Sequence, residues 1–166
     1  ESLIARPQEP ADQSTPSSMG VAAELLEQLS HFQTDDSFGE IAETVVDRQG
    51  SRIESNPLQH ASLTLAADTV IEGPLELALV ADEIPEEYRE ELREWYLPGG
   101  IFAWRPADEA GLQPWLETLG LDEAPPIWAD RGQKDDEPTV YACRSRTCSP
   151  PRNELPRALR WGQRML

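Results

Sequence analysis

The sequence has little positive charge, and almost all of it is arginine. Its 166 residues carry 14 basic side chains against 31 acidic ones, a net charge of −17, and Lys134 is the single lysine. A surface this acidic repels phosphate backbones and anionic headgroups at long range, so no general nucleic-acid binding and no membrane binding is expected. The composition fits adaptation to high salt, where self-repulsion is screened and a charged surface stays hydrated; the plain alternative is an ordinary acidic cytoplasmic protein. Long apolar runs are missing too. Nothing approaches the roughly 20 residues of a membrane-spanning helix, and the opening ESLIARPQEP lacks the charged, apolar and small-residue layout of a signal peptide. A soluble cytoplasmic chain is the expectation, and without a leading Met residue 1 is not expected to be a natural start.

Cysteine and histidine are equally scarce, with only Cys143, Cys148, His31 and His60 present. The cysteines are spaced C-x4-C, whereas zinc sites pair cysteines two to four apart and then need a second pair or histidines. Both histidines fall in the helical half, so no metal site is expected. The C-x-x-C spacing that lowers a thiol pKa at a helix start is absent. Cys143 and Cys148 read first as structural thiols at the end of a buried strand and second as a conditional disulfide. There is no Gly-rich phosphate loop, no G-x-S-x-G elbow and no H-E-x-x-H, and no cofactor is expected.

The chain does have 39% apolar residues and five Trp, enough for a packed core. Residues 1–18 are rich in Pro, Ser, Gln and charge and have no helical period. Ser17 or Ser18 can cap a helix over about Met19–Gln33, on which Val21, Ala22, Leu25, Leu26, Leu29 and Phe32 form one apolar stripe. Ser37 with Glu40 is a capping box for a second helix carrying Phe38, Ile41, Ala42, Val45 and Val46, which Gly50 can end. Asn56-Pro57 starts a third, with Leu58, Ala61, Ser62, Leu65, Ala66 and Val70 running to Gly73-Pro74. Short connectors imply antiparallel neighbours, and three such helices do not comfortably enclose a core of their own, which suggests missing partners.

Beyond Gly73-Pro74 the pattern alternates. Strands are predicted at Leu75–Val80, Ile101–Trp104 and from Thr139, with helices over about Pro85–Tyr96, around Leu112–Leu119 and from near Asn153. Such alternation favours an α/β unit of two or three layers with a mostly parallel sheet and right-handed crossovers. From Arg144 onward there are six arginines and one acid, Glu154, a local charge of +5 that is expected to pair with the acidic body.

Two stretches together carry a family resemblance. DQSTPSSMGVAAELL, Asp12 to Leu26, resembles the Asp-Gly-Ala-x-Pro-Ser-Gly-Asn-Ser segment and following aliphatic helix of the YyaL-type, spermatogenesis-associated thioredoxin-like family. PTVYACRSRTCSPP, Pro138 to Pro151, resembles the Pro-x-Ala-Tyr-x-Cys-x4-Cys-x-x-Pro ending of the same proteins. The resemblance implies a C-terminal fragment: residues 1–73 as the last helices of a six-hairpin, glycosidase-like α/α toroid, and residues 74–166 as a small α/β unit with a basic C-terminal helix. The partners it implies are the remainder of the same polypeptide, with its thioredoxin-like domain, and a sugar ligand. It carries over Asp12, Thr15, Pro16 and Ser17 as a loop facing the toroid's funnel, making Asp12, Thr15 and Ser17 the ligand-binding candidates, while Ser18 and Met19 depart from the family's Gly-Asn. Cys143 and Cys148 match the family pair, in a structural or redox role. Carbohydrate-related catalysis or binding by the intact protein, of unknown reaction, is the first functional expectation. The alternative is a non-catalytic scaffold or interaction region serving the thioredoxin-like domain.

Overall fold

Local capping decides where the first helices begin. In the computed structural model, which describes residues 9–35, 37–97, 99–145 and 147–165, α1 spans Ser18–Ser30, α2 Ser37–Ser55 and α3 Ala61–Glu72. The Ser17 hydroxyl accepts from the Gly20 amide at 3.4 Å and its carbonyl from the Val21 amide at 3.0 Å, the N-cap expected from the sequence. Ser37 behaves differently, donating its amide to Asp35 Oδ1 at 3.0 Å and its hydroxyl to the same oxygen. Gly50 does not stop α2. It sits mid-helix with open space around it, where glycine costs only about 1 kcal/mol relative to alanine. After Asn56, a turn held by Gln59 N to Asn56 O at 3.2 Å and His60 N to Pro57 O at 3.2 Å delays α3 to Ala61.

These helices belong to one of two units into which the chain divides, residues 1–30 with 35–72. Its interior is made of small residues. Gly20 and Ala23 of α1, Ala42 and Val46 of α2, and Leu63, Ala66 and Ala67 of α3 are buried. This corrects the expected α1 stripe: Val21, Leu25 and Leu29 are 40%, 51% and 46% exposed, while Leu26 and Phe32 of the same stripe are half-buried. The reason lies at Gly20, where a Cβ would stand 2.6 Å from the Ser62 carbonyl carbon. Only glycine lets α1 approach the α3 backbone so closely, and that contact turns the small-residue face inward and Leu25 and Leu29 outward. Leu58 and Leu65, named among the apolar positions of the third helix, are likewise exposed, and Leu63 is the buried leucine of α3.

The second unit, residues 31–34 with 73–166, is a mixed α/β fold. Its strands are β1 Glu76–Val80, β2 Ile101–Arg105, β3 Thr139–Arg144 and β4 Thr147–Cys148, in the order β2-β1-β3-β4. The β1–β2 pair is parallel, but β1–β3 and β3–β4 are antiparallel, so the sheet is mixed and the expected mostly parallel pairing is corrected. The residues after α5, Glu109–Leu119, supply the cause. The helix carries the chain back past β2, and the long stretch 120–138 then carries it forward again, so Thr139 enters opposite Val80, the last residue of β1. A single crossover would have given a parallel strand; two reversals give an antiparallel one.

The unit has three layers. Leu77 and Leu79 of β1 with Val140 and Ala142 of β3 face α4, Glu86–Glu94, and α6, Leu155–Gln163, through Tyr88, Leu155, Ala158 and Leu159. On the other face Ala78, Ile101 and Ala103 meet Leu112 and Leu116 of α5 together with Ile127 and Trp128. β1 is therefore buried on both faces, which explains its unbroken apolar run. The Asp108 carboxylate accepts from the Gly111 amide at 2.6 Å to start α5, and Gly120, at φ 70°, ends it in the left-handed region.

Candidate functional site

The loop before α1 gathers two of the three predicted ligand-binding residues, but around a structural task. Asp12 Oδ1 accepts from the Ser17 amide at 2.6 Å and from the Ser62 hydroxyl, and Oδ2 accepts from the Ser62 amide at 2.8 Å. The Asp12 amide in turn donates to Gln59 O at 2.9 Å. One carboxylate thus ties the segment before α1 to the first turn of α3, whose unpaired amides and dipole favour a negative charge. The Ser62 hydroxyl and amide and the Ser17 amide hold the Asp12 carboxyl below the ordinary aspartate pKa. Ser17 is buried, and its hydroxyl donates to Glu9 O at 3.1 Å while capping α1. Thr15 is exposed and takes no side-chain part in this network among the described contacts.

Cys143 and Cys148, read first as free structural thiols, are joined in a disulfide with Cα atoms 4.0 Å apart. They face each other across the antiparallel pair β3 and β4, in which Arg144 is the partner of Thr147. C-x4-C is the spacing that such a pairing places in register. The sequence carries no Asn-Gly or Gly between the two strands to announce it, although Ser145 adopts φ 48°.

Polar side chains surround the buried end of the disulfide, and the sequence reading missed them. Arg131 Nη2 lies 3.5 Å from Cys143 Sγ and 3.1 Å from Glu76 Oε2, while its Nη1 donates to Ile127 O at 2.6 Å. His31 Nδ1 is 2.8 Å from Glu76 Oε1. The Arg131 guanidinium also stacks 5.8 Å from the Tyr141 ring centre, and the Tyr141 hydroxyl donates to Gly132 O at 2.7 Å. Glu76 is the direct cross-strand neighbour of Cys143. Burial pushes the Glu76 carboxyl up, but the hydrogen bonds and charges of His31 and Arg131 outweigh it, and the net direction is down. A carboxylate at the head of an apolar strand was the available signal for this cluster. His60, by contrast, is a buried helix residue whose Nδ1 lies 3.0 Å from Asn56 O.

Two grooves lie within this unit. One of about 420 Å³ is walled by Phe32, Trp115, Leu119 and Trp128, the outer part of a chain of edge-to-face rings that includes Trp104 and Trp115 at 5.0 Å. The other, about 260 Å³, is polar and mixes Lys134, Arg152 and Arg157 with Asp135, Glu137 and Glu154. In the basic C-terminal segment Arg144 donates to the carbonyls of Gly73 at 3.2 Å and Met165 at 2.7 Å, while Arg157 pairs with Glu154 one turn away at 2.5 Å. Among the described residues no cluster of three or more His, Cys, Asp or Glu is arranged to hold a metal ion, and no helix is long and apolar enough to cross a membrane.

Set against protein-family models, characterised proteins and solved structures, the chain gives no significant match.

Proposed function

We propose that this chain is the C-terminal portion of a larger polypeptide of the kind its two motifs resemble, and that it works there as a scaffold and interaction region. In this reading α1, α2 and α3 complete a helical array, the toroid of the resemblance, by offering the outer face of α1 to further helices of the same polypeptide. The observation that carries it is the exposure of Val21, Leu25 and Leu29, which recur every four residues along one side of α1. Large apolar side chains aligned on one face of a helix are the surface that an antiparallel neighbour covers. The engagement of Asp12 supports the non-catalytic assignment, because both of its oxygens are used in joining α1 to α3. Carbohydrate-related chemistry in the intact protein then falls to groups other than Asp12 and Ser17.

The test compares two contexts. Leu25→Glu with Leu29→Glu is expected to change the stability of this chain by no more than about 0.5 kcal/mol, as surface substitutions do. In the intact polypeptide the same pair is expected to lower the thermal midpoint by several degrees. A neutral result in both contexts sinks the interface. Sugar binding to the chain that Asp12→Asn abolishes while the fold persists would return Asp12 to a ligand-binding role.

A further inference from the structure

We propose that the Cys143–Cys148 disulfide is a directional thiol–disulfide exchange site, opened by attack of an incoming thiol on Cys148 with Cys143 as the leaving sulfur held by Arg131. The two ends of the bond are unlike. Cys143 is 4% exposed and sits inside β3, whereas Cys148 is exposed on the two-residue strand β4. A thiolate must approach one sulfur along the line of the bond, so access selects Cys148. The electron pair of the broken bond then passes to Cys143 Sγ.

That leaving thiolate is provided for. Arg131 Nη2 is 3.5 Å from Cys143 Sγ, and the guanidinium is fixed by Ile127 O on one side and Glu76 on the other. The groups facing the sulfur are Arg131 from the loop before β3 and Glu76 from β1, the latter also bound by His31. The cation nearest the sulfur favours the thiolate, and His31 shares the Glu76 charge that would oppose it. A lower pKa at the departing sulfur speeds exchange.

The chemistry balances with a thiol reductant as co-reactant. A first thiolate forms a mixed disulfide with Cys148 and releases Cys143 as thiolate. A second thiolate attacks the sulfur of the reductant, forms the reductant's own disulfide and releases Cys148. Two electrons pass from the reductant to the protein's bond, and solvent protons complete any thiol that is protonated. Opening removes the covalent link between β3 and β4, leaving the pairings of Cys143 with Cys148 and Arg144 with Thr147 to hold β4.

The inference rests on the second unit alone and stands apart from the α1 interface, which neither its success nor its failure touches. Its test uses glutathione as the probe. The oxidised chain is mixed with reduced glutathione, quenched with acid at short times and treated with a maleimide, and each cysteine is mapped by mass spectrometry after cleavage at the arginines between them. Glutathione is expected on Cys148 with maleimide on Cys143, in at least tenfold excess over the reverse. Glutathione chiefly on Cys143, an even split, or no adduct at all overturns the proposal. Arg131→Gln is expected to slow the opening step several-fold and to move the alkylation of reduced Cys143 to higher pH, and Arg131→Lys to restore both. An Arg131→Gln variant with the wild-type rate and pH profile removes Arg131 from the device.

Discussion

The two units solve the problem of burial in opposite ways. The helical unit packs backbone against backbone through Gly20, Ala23, Ala42 and Ala66, buries Leu63, and leaves Leu25, Leu29 and Leu65 exposed. The α/β unit buries Leu77, Leu79, Leu112, Leu155 and Leu159 around a central strand covered on both faces. Burial of a large aliphatic side chain is worth about 1.5–3 kcal/mol and of a methyl far less, so the second unit holds most of the hydrophobic stabilisation. The first depends on close approach and on polar ties such as Asp12.

The contrast is measurable because all five tryptophans, Trp95, Trp104, Trp115, Trp128 and Trp161, belong to the α/β unit. Their fluorescence reports that unit, while circular dichroism at 222 nm is weighted towards the three helices of the other. The largest effect is expected from Leu79→Ala, which empties a fully buried position of β1 and destabilises the α/β unit by about 3 kcal/mol. The urea midpoint followed by fluorescence should fall well ahead of the midpoint at 222 nm. Equal shifts in both signals would make the two units one cooperative body and break the comparison.

Next comes Gly20→Val. Its branched side chain meets the Ser62 carbonyl and the Leu63 amide rather than the flexible end of a side chain, so the α1–α3 crossing must open. The expected cost is about 2 kcal/mol, read at 222 nm, with the tryptophan transition in place. A variant that instead left the helical signal intact would mean that the small-residue packing contributes little.

Legibility in the sequence followed the same division. The strands of the α/β unit could be read because large alternating or continuous apolar residues announce them, and the observed β1, β2 and β3 begin within one residue of the predicted positions. The direction of β3 could not, since it depends on the path of residues 120–138, which have no periodicity. In the helical unit the elements were legible and their inner face was not. The hydrophobic period marked Leu25 and Leu29 as interior, because the cue that outranks it is a steric contact at one glycine. At the candidate sites, Ser17 was readable as a cap and the cysteines as a pair. Arg131 and Glu76, 55 positions apart, meet only through the sheet and the loop beside it. No local pattern brings them together.

Asp12→Asn is a smaller perturbation, because asparagine keeps the shape and one acceptor oxygen at the α3 start but loses the charge. The expected loss is about 1 kcal/mol, confined to the helical signal. If Asp12 were a ligand-binding residue with no part in the fold, the variant would unfold with the wild type.

The smallest effect is the pH dependence of that contribution, and its sign follows from the direction of the Asp12 shift. The folded carboxyl titrates below the ordinary aspartate value of about 3.9, so the folded state binds fewer protons than the unfolded chain as pH falls through that region. The Asp12 contribution is therefore fully present above the unfolded pKa and is lost as pH falls through the folded one. In the same way Glu76 contributes to the α/β unit above about pH 4.3 and less below it. Between pH 6 and pH 3, the midpoint at 222 nm should fall more steeply for the wild type than for Asp12→Asn, while the fluorescence midpoints of the two proteins fall in parallel. Glu76→Gln should do the converse, flattening the fluorescence profile and leaving the helical one unchanged. Crossed responses, in which Asp12→Asn flattens the tryptophan signal, would mean that the carboxylate reports on the whole chain and not on the joint between α1 and α3.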